Sequence, residues 1–121
     1  MDSYKFTGDE GKFVSAVVAS KLTERYQNNQ EENKKKPGTF TEAQFFGSRQ
    51  LQKLMKKDGC VGLRFYFAKT EDKEVSDQLV VVAVDVDGKD LTSSRIGLKD
   101  MPAPDDDALT GGPCCPSHCT P

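Results

Sequence analysis

The chain has no tryptophan, one histidine and only four cysteines in 121 residues. Each scarcity excludes something. Cysteine this sparse falls well below the roughly 8–10% of a disulfide-dense scaffold. No apolar run approaches the ~18 residues that a membrane-spanning helix needs. A basic excess is missing too: 17 Lys and Arg stand against 19 Asp and Glu, for a net charge of −2. The pI is about 5.4, contrary to the basic footprint of a nucleic-acid-binding domain. The single histidine, His118, lies in the terminal segment, which argues against the nucleophile–base arrangement of conventional hydrolytic catalysis. No phosphate-cradling or dinucleotide glycine pattern occurs. The first residues lack the basic start and apolar stretch of a signal peptide. The expected compartment is therefore the cytoplasm, where thiols stay largely reduced; leaderless export remains compatible. A prenylation box would need cysteine fourth from the end, where His118 stands.

What is present is 36% hydrophobic and 30% charged residues, enough for one domain with one modest core. Phe13, Val14, Val17, Val18, Leu22 and Tyr26 recur at three- and four-residue spacing and predict an amphipathic helix over about 9–30. Thr7 with Glu10 has capping-box spacing, with Asp9 as a competing N-cap. Residues 27–38 are polar, and Pro37-Gly38 ends any helix there. The 34–36 lysine run reads as a solvated helix end. Residues 40–46 are ambiguous between helix start and extended chain. Leu51, Leu54 and Met55 define a second helix through about 57, closed by Gly59.

Residues 60–69 alternate as a strand: Leu63, Phe65 and Phe67 against Arg64, Tyr66 and Ala68. Given the acidic balance, Phe65, Tyr66 and Phe67 read as core rather than as an RNA-stacking platform. Residues 79–86 are continuously apolar, as expected of a strand covered on both faces. Asp87-Gly88 has the composition of a two-residue hairpin turn, after which 89–94 would return as a third strand. The expected fold is α+β: two helices packed on a small antiparallel meander. The domain would span 1–96, followed by a Pro/Asp/Gly-rich spacer and extended cysteine tail over 97–121. The acidic run 105–107 reads as solvated spacer.

Gly62, Arg64 and Tyr66 in the first strand, Asp85, Gly88, Asp90 and Leu91 around the turn, and Cys115, Pro116 and Cys119 in the tail form a recognisable set. The segment 45–119 resembles a set of small uncharacterised proteins from Bacteroidetes-type bacteria. These carry a Gly-x-Arg-x-Tyr strand, a Val-x-Val-Asp strand and a C-terminal Cys-Pro-x-x-Cys. Ala83 stands where many members have glycine, and Cys114 is additional. The resemblance implies architecture and motif boundaries, with no activity attached.

Three cysteines and the only histidine fall in the last eight residues. Three readings of that cluster stay open. Zinc or copper favours thiolate and imidazole. Four ligands so close along the chain do not easily surround one ion, so a metal set would be Cys115, His118 and Cys119 with Cys60 from the body. A disulfide or redox site would use Cys114, Cys115 and Cys119, with Cys115–Cys119 the most plausible pair. A terminal recognition or attachment element is the third. On the sheet, Arg64 lies within cross-strand reach of Asp85, Asp87 and Asp90, read first as a cross-strand ion pair, with Arg64, Tyr66 and Asp85 as a candidate polar site on the sheet face. The Asp85-x-Asp87-Gly88 run lacks the remaining ligands of a calcium loop and reads as a turn. The leading expectation is a non-enzymatic interaction or assembly protein that uses its tail, with a protein partner or self-association, plausibly a homodimer. No nucleic acid, membrane or obligatory cofactor is expected. Thiol-redox or metal-binding use of the tail is the alternative, and small-molecule binding on the sheet face a weaker one.

Overall fold

The structure is a computed structural model that describes residues 4–33, 40–71, 77–92 and 107–115. The elements run α1 (Ala16–Glu32), β1 (Ala43–Gln44), α2 (Ser48–Met55), β2 (Gly62–Lys69), β3 (Asp77–Val84) and β4 (Cys114–Cys115). The fold is α+β, with β2 antiparallel to β3 and β1 antiparallel to β4. No helix among the described residues is long and apolar enough to cross a membrane. The expected lysine-rich helix end over 34–36 and the Pro37-Gly38 stop lie outside the described residues.

β3 is the centre of the structure. Val81, Val82 and Ala83 are fully buried and Val84 nearly so, as expected of a continuous apolar strand with both faces covered. Val81 and Ala83 share one face with Leu63 of β2 and pack against Leu54 of α2, with Phe46, Leu51 and Leu109 around them. α2 is positioned for this by Leu51 and Leu54, which fall on one helical face. It ends at Met55, with Lys56 as C-cap, and Gly59, at φ +85°, shapes the next turn, in which Cys60 N donates to Lys57 O at 3.0 Å. Residues 40–46 resolve as extended chain holding β1, so α2 starts at Ser48 with Gly47 as cap.

The hairpin after β3 is one residue longer than its composition suggests. Asp85 N donates to Lys89 O (3.0 Å) and Gly88 N to Asp85 O (3.0 Å), which makes a three-residue loop with Gly88 at φ +79°. The Asp85 carboxylate accepts from Asp87 N (2.9 Å) and Lys89 N (3.0 Å). That side-chain turn selects a type I loop with a bulged glycine over a two-residue turn.

The expected third strand reduces to a bridge between Val84 and Asp90 and a bond from Leu91 N to Ala83 O of 2.8 Å; residues 93–94 lie outside the described ones. The rest of that edge is taken by the terminal segment. Val81 N donates to Leu109 O (2.8 Å) and Leu109 N to Val81 O (2.9 Å), and Thr110 Oγ1 donates to Leu79 O (2.8 Å). A fully buried residue must satisfy its backbone polar groups, and Leu109 does so for Val81. Residues 107–115 therefore belong to the body and are not an outlying tail. Asp107 is buried and pairs with Lys57 Nζ at 3.6 Å, where a solvated spacer was expected.

α1 starts later than its periodicity implies. Thr7 and Glu10 do bond as their spacing suggests, Thr7 N donating to Glu10 Oε2 at 2.7 Å. Gly8 and Gly11 at φ +95° and +94° turn the chain there, so no helix follows. Ser15 caps instead, accepting from Val18 N at 3.2 Å. No residue of α1 is buried, so its apolar stripe does not join the core.

Leu109→Pro removes the donor to Val81 O and strands a buried carbonyl. It should cost about 2–3 kcal/mol in urea unfolding, whereas Leu22→Ala on α1 should cost less than about 0.5 kcal/mol.

Candidate functional site

Three places collect the residues that carry chemistry. The first is a polar cluster on the face of β2 opposite α2. Arg64 Nη1 lies 2.7 Å from Asp90 Oδ1 and donates to Gly88 O at 3.1 Å. Tyr66 OH donates to Asp90 Oδ2 at 2.5 Å. The carboxylate is thus Asp90, brought opposite by the bulged loop, and not Asp85, which is used inside that loop. Burial on its own lowers the Arg64 pKa, but the Tyr66 and Asp90 groups outweigh it and hold the guanidinium above its ordinary value. The Phe6 ring lies 5.8 Å from the guanidinium carbon, within cation–π range. Each Asp90 oxygen already has a donor, so the cluster locks the hairpin to the sheet.

The N-terminal segment completes this corner. Phe6 N donates to Val86 O at 2.8 Å and Lys5 pairs with Asp87. A Cβ on Gly88 would lie 2.5 Å from a Phe6 ring carbon, so only glycine fits both the turn and the ring. Glu10 accepts from Thr7 N, Gly8 N (2.9 Å) and Tyr4 OH (3.0 Å).

The second place is the cysteine segment. β4 lies on β1, with Ala43 opposite Cys115 and Gln44 opposite Cys114. Cys114 is free, and its sulfur lies 3.3 Å from Gln78 Nε2. Cys115 is disulfide-bonded, and its sulfur lies 3.8 Å from Glu42 Oε2. Cys119 and His118 lie outside the described residues. Cys60, also free, sits before β2 with its sulfur 3.2 Å from Gly62 O. Gly62 pairs with Val84, whereas Cys114 contacts Gln78. Six residues of extended β3 separate those points, about 20 Å at ~3.3 Å per residue. Among the described residues, Cys60 is not brought to Cys114 or Cys115. Among the described residues no three His, Cys, Asp or Glu side chains are placed to hold a metal ion.

The third place is a groove of about 740 Å³ between the middle of α1, β1 and the open end of the β2–β3 hairpin. Leu22, Tyr26, Phe67 and Leu79 give it an apolar lining, and Lys69 and Asp77 pair at its rim at 2.7 Å. Tyr26 meets the buried Phe40 ring edge-on at 6.3 Å.

Gln44 is the residue that sequence reasoning missed. Its amide donates to Gln78 Oε1 (2.6 Å) and Gly112 O (2.9 Å), and accepts from Leu79 N at 2.8 Å. One side chain thus joins β1, β3 and the terminal segment. Gly112 fits beside it because an added Cβ would lie 1.7 Å from Phe45 O. Neither residue has a local signal; their importance comes from contacts far along the chain. Phe65 and Phe67, expected in the core, are 50% and 94% exposed, because α2 covers only the Leu63 end of their face.

Compared with family models, curated proteins and solved structures, the chain matches none.

The bonds from Thr7 N above all, and from Gly8 N, hold the Glu10 carboxyl down at about 2. A depressed carboxyl favours the folded turn when ionised. That contribution should be complete above the ordinary glutamate value of about 4.3 and lost as pH falls toward about 2. NMR titration of the Thr7 and Gly8 amides should show the turn releasing in that window, and Glu10→Gln should abolish the pH dependence.

Proposed function

We propose that this chain is a protein-association module without catalytic activity, engaging a protein partner through the apolar stripe of α1. The observation that carries the reading is that stripe's exposure. Val17, Val18, Leu22 and Tyr26 on α1, with Phe13 and Val14 just before it, are each at least 44% exposed. A lone helix of this length is marginal in water, and tertiary packing of its apolar face is what normally stabilises it. Val17-Val18 adds a mildly unfavourable propensity. A partner groove that buries the stripe supplies the missing packing, the mode by which amphipathic helices are commonly recognised. This reading places the association surface on α1; of the terminal segment, residues 107–115 are engaged in the fold.

The test uses Val17→Glu and Leu22→Glu, both at exposed positions, with circular dichroism confirming the fold. Proteins captured by the wild-type chain from the cells that encode it would be purified and their affinity measured by calorimetry. Binding should weaken at least roughly tenfold in either variant. Equal affinity for wild type and variants would overturn the reading.

A second reading, thiol exchange at the tail, is favoured by one observation: a free Cys114 directly beside Cys115. Alkylation of the native chain followed by intact-mass measurement should then add two groups, and four after reduction. Four groups added without reduction, together with no bound zinc, would exclude it.

A further inference from the structure

We infer that the open edge of β2 pairs antiparallel with the same edge of a second copy of this chain, extending the two hairpins into one continuous sheet. This names a partner surface for the association reading above; it uses β2 and leaves α1 free for its own partner.

The hydrogen-bonding directions follow from β3. Val81 exchanges bonds with Leu109, Ala83 O accepts from Leu91 N, and Leu79 N donates to Gln44. The odd-numbered residues of β3 thus aim their backbone groups away from β2. The register pairs Leu63 with Ala83, Phe65 with Val81 and Phe67 with Leu79. In an antiparallel ladder those are the non-hydrogen-bonded pairs. The N–H and C=O groups of Leu63, Phe65 and Phe67 therefore point outward, and none has a partner among the described residues. β2 is eight residues long, carries no proline and has no charged side chain on the face that holds these three residues until Lys69. Such an edge is a template for another strand.

Self-complementarity chooses the second copy as occupant. With Phe65 opposite Phe65 of the second copy, Leu63 faces Phe67 in both directions. Three residue pairs then exchange two hydrogen bonds each. All three apolar pairs lie on one face, where cross-strand aromatic and aliphatic contacts stabilise a ladder. On the other face Arg64 stands opposite Tyr66, and at the end of the apolar face Lys69 stands opposite Val61, so no like charges meet. A slip one way sets Arg64 against Arg64, which is unfavourable. A slip the other way sets Lys69 against Leu63.

The same register places the second copy's Leu63, with the α2 that packs on it, beside Phe67. Phe67 is 94% exposed in the single chain, and its own α2 lies at the far end of the strand. The second copy supplies the cover that its own chain lacks.

Sedimentation equilibrium should show a monomer–dimer equilibrium that Phe67→Lys weakens by roughly tenfold or more. That position is too exposed for the change to unfold the chain. Leu22→Glu should leave the equilibrium unchanged. Phe65→Cys should form an intermolecular disulfide on oxidation, since a hydrogen-bonded pair sets Cα atoms about 5.5 Å apart, within disulfide range. Phe67→Cys, opposite leucine, should not. A monomer at all concentrations would overturn the inference and leave the α1 reading to its own capture experiment. A dimer abolished by Leu22→Glu but not by Phe67→Lys would overturn it in favour of α1 as the self-association surface. Equal cross-linking at both cysteine positions would overturn the register.

Discussion

The structure depends on satisfying the backbone of β3. Val81, Val82 and Ala83 have no exposure to water, so every N–H and C=O they carry needs a partner within the chain. On one side β2 meets this need along a regular ladder. On the other side no single strand does so. Leu91 bonds Ala83, Leu109 bonds Val81, and the Gln44 side chain bonds Leu79. Three remote pieces of sequence are thereby recruited to one edge. Their arrival sets the course of the terminal segment, the existence of the β1–β4 pair and the place of the cysteines. An unpaired buried carbonyl or amide costs about 1–3 kcal/mol, comparable with a large part of a small domain's net stability. That magnitude explains why a glycine-rich, proline-containing stretch is ordered where composition suggests a loose spacer.

The two hairpin edges are therefore unlike. The β3 edge is patched by elements of its own chain, whereas the β2 edge presents Leu63, Phe65 and Phe67 outward. The Arg64–Tyr66–Asp90 cluster belongs to this asymmetry. It ties the loop after β3 to β2 from one face. A partly buried pair like Arg64–Asp90 adds little net stability by itself. Its effect is geometric, because each Asp90 oxygen is claimed by a different donor on β2.

The elements legible in the sequence are those whose information is local. The alternation of 60–69, the continuous apolar run of 79–86 and the Leu51–Leu54 face of α2 each describe burial that a nearby element completes. The fold class follows from them. What was not legible depends on pairing across long chain separations. Leu109 has no strand pattern around it, yet it replaces the expected third strand. Gln44 sits in a segment that could be read as helix or strand. Asp90 and Asp85 are equivalent by composition, and only the bulged loop decides which one reaches Arg64. The helical periodicity of α1 is legible and real, but periodicity reports an apolar face without reporting what covers it.

That last point separates a core from a surface in this chain. The α2 stripe and the α1 stripe look alike as patterns, yet Leu54 is buried and Leu22 is not. The difference lies in the available cover. The face of the β2–β3 hairpin near Leu63 and Ala83 is filled by α2, and α2 is only eight residues long, about 12 Å at 1.5 Å per residue. The ladder it lies on is eight residues of extended chain, about 26 Å. Half of the face must stay outside its reach, and that half carries Phe67. α1 lies near this uncovered end, lining the groove with Leu22 and Tyr26, but it does not close onto Phe67. A short helix on a longer hairpin thus leaves apolar surface by simple arithmetic of length, and an exposed aromatic face beside an edge that no described residue pairs is a surface suited to association.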